Sequence, residues 1–340
     1  MLNITDTSRL SSTLVNIQGY MTLYGMPLVL FFGASGNMIN CGVFLQKNLR
    51  SNSCSIYFIA SSISHTILLI WAMSTNMYSV TNKDPLAYST IYCKIRPYLI
   101  SSLFMISRTY IVLACADRYA LCSPDVRIRA FSRSQNAFRL IPLVILIWIF
   151  LPIHIAIFNT IEGNQCIMPG IYRILYAVYA IICAGILPPF SMVTFGLLAY
   201  RNLRYMRRRI QPANSDQRRQ TRIKRTDFQI MKMLSVEVMI YCASTLPFPI
   251  NTVYAAATVN VIKSKDRAAV DAFLSFLAGS ILQYMNASTA MYSNLITSAA
   301  FRNELKKFFK NCLKLHRVLS NAASTREHRI VPADGTPLND

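Results

Sequence analysis

Residues 98–119 read YLISSLFMISRTYIVLACADRY. They belong to an apolar run from about Tyr92 to Leu121, long enough for a bilayer helix, which takes roughly 20 residues. The run closes on an acid and a base side by side, Asp117 and Arg118, followed by Tyr119. Charge at the end of a membrane helix is costly and usually functional. The triplet is either a conformational latch or a helix end reaching for water, with Arg118 snorkelling to the interface.

Working outward, six more apolar runs appear, over about 19–45, 55–80, 140–158, 171–200, 230–258 and 268–298. The chain is 53% hydrophobic and 14% charged, against about 25% charged in a typical soluble domain. The expected fold is an all-α membrane protein: a seven-transmembrane helix bundle over 19–298. Phe301 to Leu315 follows with Phe301, Leu305, Phe308, Phe309 and Cys312 at helical spacing and lysines between them. That pattern predicts an amphipathic eighth helix over 299–316 on the cytoplasmic surface, in contact with membrane lipids. Residues 1–18 read as an extracellular N-terminal segment and 317–340 as a disordered cytoplasmic tail.

The net charge of +21 raises the possibility of a nucleic-acid partner, but its placement argues against one. The bases concentrate in the loops after runs one, three and five and in the tail, which is the positive-inside pattern. The N-terminus is therefore expected outside and the protein multi-pass in the plasma membrane. The loop holding Lys263, Lys265 and Arg267 is a local exception. No G-x-S-x-G, H-E-x-x-H or phosphate-binding loop is present, so no enzyme, cofactor or metal site is expected.

Of the nine cysteines, most lie inside apolar runs, where small buried packing residues are the plain reading. Cys93 and Cys166 differ, because the topology puts both on the outer side. An oxidising compartment favours a disulfide there over two free thiols. Asn3-Ile4-Thr5 matches the glycosylation acceptor.

These features in this order resemble the rhodopsin-like (class A) G-protein-coupled receptors over residues 19–316. The markers are Gly36-Asn37, Cys93 with Cys166, Asp117-Arg118-Tyr119, Trp148, the prolines of runs five and six, and Phe301-Arg302. Ile186-Leu187-Pro188-Pro189 and Arg201-Asn202 further resemble the invertebrate FMRFamide-type neuropeptide receptors. The resemblance implies an extracellular ligand, a short peptide, and a heterotrimeric G protein as partners. It also implies that Arg118 is held by Asp117 and by Asp227 at the inner end of run six; a solvated helix start would equally explain Asp227. Cys312 stands where the family is often palmitoylated.

The sequence departs from the family at its switches. His65 stands where the family has a buried aspartate, beside Ser107, Asn286 and Ala290, so the sodium-binding carboxylate is missing. His65 is either a neutral core histidine or a pH sensor. Arg108 adds a cation at midspan, with Glu237 as an expected partner. Thr245, Asn294 and Gly196 replace aromatic switch residues. Ile100 removes the acid of amine receptors, and Tyr284 the lysine of opsins. Ser101, Phe104, Phe248, Gln283 and Tyr284 are the expected ligand lining, with interhelical packing as their alternative role. A transporter built on His65, Arg108 and Glu237, and a receptor-like protein with weak or no coupling, are the competing readings.

Overall fold

The computed structural model describes the backbone of residues 4–47, 49–50, 52–208 and 216–328, and the side chains of 9–47, 49–50, 52–205 and 228–314. Seven helical spans are long and apolar enough to cross a membrane: Arg9–Phe44, Ser53–Thr81, Thr90–Leu121, Ser134–Phe158, Tyr172–Tyr205, Phe228–Ala257 and Lys265–Thr297. They form a bundle with two distinct ends. One carries the Cys93–Cys166 bridge, the other Asp117 and Arg118.

The helices start where polar side chains supply caps. Asn52 accepts from the Cys54 N–H to open span two, Ser89 from Tyr92 to open span three, and Ser264 from Arg267 to open span seven. Such caps satisfy N–H groups that have no partner within the helix. The prolines loosen the helices without ending the spans. Pro188 and Pro189 lack the N–H groups that would bond one turn back, and the turn before them is wound as a π-helix, Ile181–Ile186. Pro27 follows a similar π turn, Met21–Gly25. Span four breaks at Pro152, between Ser134–Phe150 and Ile153–Phe158.

Buried amides tie span one to its neighbours. Asn37 donates to the Ala287 carbonyl at 2.9 Å, Asn40 to Ser62 Oγ at 2.8 Å, and Asn294 to Asn40 Oδ1 at 3.1 Å. The largest apolar cluster fills the triplet half of the bundle, around Phe44, Tyr57, Phe58, Tyr110 and Phe301. Small residues allow the close approach: a Cβ on Gly33 would run into Leu69 at 2.7 Å, and one on Gly42 into the Phe308 ring.

Three boundaries differ from the sequence reading. Helix Ile4–Tyr20 runs directly into span one, so helix already starts within the segment 1–18. Span four begins at Ser134, ahead of the apolar run from about 140, so Arg139 lies on its helix. The surface helix spans Ala299–His328, so the stretch expected to be disordered from 317 begins as helix. In each case polar residues that hydropathy leaves outside a span extend its helix.

Candidate functional site

At the triplet end, Asp117 and Arg118 are each 1% exposed. Arg118 Nη2 and Nε donate to Asp117 Oδ2 at 2.5 and 3.1 Å, and Nη2 also donates to Asn52 Oδ1 at 2.6 Å. The other carboxylate oxygen accepts from Ser53 Oγ at 2.5 Å, and Ser53 in turn lies 3.1 Å from Ser132 Oγ. The pair is thus stitched to the start of span two and to the loop before span four. Charge-assisted hydrogen bonds of this kind offset part of the cost of burying both ions. Sequence reasoning missed Asn52 and Ser53; the available signal was the Asn-Ser dipeptide opening span two.

Tyr119 points elsewhere. Its ring packs on Phe195 of span five at 6.0 Å, against a small cluster of Cys122, Ala199, Leu203 and Met231. The side chain of Asp227 lies outside the described residues. Two residues on, Gln229 makes a contact the sequence did not suggest: its Oε1 accepts from the Ala300 N–H at 2.7 Å and from Ser298 Oγ at 3.4 Å. It joins the triplet end of span six to the first turn of the surface helix. Ser298 caps that helix by accepting from the Phe301 N–H at 3.1 Å.

At the opposite end, Cys93 and Cys166 are joined, with Cα atoms 5.6 Å apart. Cys166 lies on a hairpin, Thr160–Glu162 paired with Gln165–Ile167. Gly163 and Asn164 both have positive φ, as a two-residue turn of this hand requires. The bridge pins the hairpin to the top of span three.

Below it, Phe104 stacks on Tyr284 with ring centroids 5.8 Å apart, both nearly fully buried. Gln283 is buried with its Nε2 unpartnered. Phe248 lies against Gly279, one helical turn from Gln283, and Ser101 lies beside the Tyr179 hydroxyl. The expected lining residues therefore come from spans three, six and seven at one end of the bundle.

The expected partnership of Arg108 with Glu237 does not form. The Arg108 guanidinium lies over the Phe104 and Tyr241 rings at 4.9 and 5.4 Å, and Nε and Nη2 have no partner. Glu237, one turn from Tyr241 toward the triplet end, keeps Oε2 unpartnered. Arg108 reaches away from it, because helical side chains lean toward their own N-terminus. Of the altered switch positions, Thr245 bonds only back to the Tyr241 carbonyl, at 2.6 Å. Gly196 leaves open space in an apolar groove of about 210 Å³ that Cys115, Met192 and Met231 also line. Cys312 is exposed on the surface helix, and Asn3 lies outside the described residues. Among the described residues no cluster of metal ligands occurs.

Residues 36–288 match the family described as 7 transmembrane receptor (rhodopsin family). Neuromedin-U receptor 2 of Homo sapiens is 21% identical over 305 residues, a stretch covering 84% of this chain and 71% of that protein.

Proposed function

The chain belongs to the rhodopsin family of seven-transmembrane receptors, and from that premise we propose that it binds an extracellular ligand at the disulfide end and activates a heterotrimeric G protein at the triplet end. The observation that carries this is the buried Asp117–Arg118 pair tied to Asn52 and Ser53. Arg118 is held at the face a G protein would enter, and its release would open that face. Asp227 contributes to the same latch from span six. The chain sits in the plasma membrane with its N-terminus outside, which puts the base-rich loops in the cytosol. On that side a lipid on Cys312 would dock the surface helix, and outside Asn3 would carry a glycan.

The ligand enters between Ser101, Phe104, Phe248, Gln283 and Tyr284. A short peptide is the class supported by the relative's being a receptor for neuromedin-U and by the FMRFamide-type likeness of the sequence. The test uses the full chain in nanodiscs with purified G-protein heterotrimer, short peptides and a GTP-exchange readout. Peptide-dependent exchange is expected, and Arg118→Ala should bind peptide yet fail to drive exchange; undiminished exchange in that variant refutes the latch. Unpartnered polar atoms on His65, Arg108 and Glu237 support the transporter as second reading. Peptide or ion flux through proteoliposomes without exchange would favour it.

A further inference from the structure

Span three carries two cations on one face. Arg96, Ile100, Phe104 and Arg108 recur every four residues, a spacing that stacks side chains along one side of a helix. Arg96, at the outer end, donates to Thr75 Oγ1 at 2.8 Å and Asn76 Oδ1 at 2.5 Å, both neutral. Arg108 lies roughly 18 Å further in, at 1.5 Å per residue, and is 4% exposed. Its guanidinium reaches one turn back toward the outer mouth and lies over the Phe104 ring.

Among the described residues no negative charge meets it. Nη1 approaches the Met105 sulfur at 3.7 Å, the Tyr241 ring covers one side, and Nε and Nη2 stand unpartnered. Arg108's charge acts on His65 of span two and on Tyr176 and Tyr179 of span five, none of them acidic. The acids on the described spans are placed otherwise. Asp117 holds Arg118, Asp271 holds Lys263, Asp266 sits at the rim, and Glu237 is not joined to Arg108. A buried guanidinium without a counter-charge is strongly disfavoured. The Phe104–Tyr284 stack borders the same region, and Arg96's charge reaches Tyr284.

We infer that the ligand delivers a carboxylate to Arg108. This rests on the reading of the outer mouth as the ligand site and specifies its chemistry. The free Nε and Nη2 offer two donors to two carboxylate oxygens, the bidentate fit in which arginine exceeds lysine. Phe104 and Tyr284 form an aromatic wall, and Arg96 draws the anion into the mouth. The carboxylate is either a free peptide C-terminus or an Asp or Glu side chain.

The test measures thermal unfolding of the full chain in nanodiscs with three pools of N-acetylated tripeptides. One pool has free C-termini, the second is amidated and contains Asp or Glu, and the third is amidated with Asn or Gln in their place. At least one acidic pool should raise Tm by about 2–4 °C while the third does not, and the responding pool identifies the carboxylate's source. Arg108→Met should abolish the rise, and Arg108→Lys should keep a smaller one. Without ligand, Arg108→Met should unfold no lower than the parent, since an apolar side chain replaces an unpaired charge; a purely structural arginine would give a lower Tm. If that variant does not fold, Arg96→Gln should still weaken the response to the acidic pools. Equal shifts from all pools, or none from either acidic pool, overturn the inference. A shift without GTP exchange leaves it standing and counts instead against the receptor reading.

Discussion

The Asp117 carboxylate has two oxygens with separate duties: one faces Arg118 and the other Ser53. Removing Arg118 leaves a buried, uncompensated anion, a change that typically costs about 3–5 kcal/mol. Removing Ser53 is gentler. Ser53→Ala deletes one hydrogen bond to a charged group, worth about 1.5–3 kcal/mol, and loosens the pair from span two. Ligand-independent GTP exchange should therefore rise in Ser53→Ala while Tm falls; exchange at the parent's level would show that Ser53 does not restrain the latch. The triplet itself was legible in the sequence, because two adjacent charges at the end of an apolar run are a local pattern. Ser53 was not, because it meets Asp117 across 64 positions and no periodicity encodes that contact. Arg108 and Glu237 show the same limit. Their charges were visible and invited pairing, but the outward lean of the arginine side chain decided against it.

At the scale of elements, hydropathy located all seven spans but placed several of their ends only roughly, since caps and polar helical extensions carry no apolar signal. The hairpin at Thr160–Ile167 was hidden for a related reason: three-residue strands are too short to show alternation, and only Gly163-Asn164 marks the turn. Its attachment has a measurable value. Cys166→Ser should cost about 2–5 kcal/mol, seen as a lower Tm for the variant than for the oxidised parent, with reductant lowering the parent likewise. The link from Gln229 to the surface helix concerns motion more than stability. Gln229→Ala removes an acceptor at a helix start, a loss near 1 kcal/mol, but it also frees span six from Ser298 and Ala300. The expected outcome is higher ligand-independent GTP exchange with a small change in Tm. Unchanged exchange would mean that span six moves together with the surface helix.

Across the whole molecule, charge is distributed unequally in a way that constrains what the interior can bind. The chain carries 35 Lys and Arg against 14 Asp and Glu, and the imbalance extends into the bundle. The position of the family's sodium-binding aspartate holds His65, buried at 4% exposure, with the charge of Arg108 acting on it. The neighbouring Ser107 hydroxyl donates to the Phe104 carbonyl at 2.9 Å and offers only a neutral oxygen, and Ala290 offers no side-chain oxygen. A sodium ion there would meet no carboxylate and would be repelled by the guanidinium, by about 4 kcal/mol at 4 Å in a medium of intermediate dielectric. Sodium should therefore not couple to ligand binding in this receptor. Agonist affinity measured in sodium and in N-methylglucamine at equal ionic strength should agree. A tenfold difference, about 1.4 kcal/mol, would require a carboxylate to enter the site, and Glu237 is the buried acid whose unpartnered oxygen could supply it. Repeating the comparison with Glu237→Gln would then decide, since loss of the sodium effect in that variant would show that span six turns far enough inside the bundle to bring its acid to the span-two position.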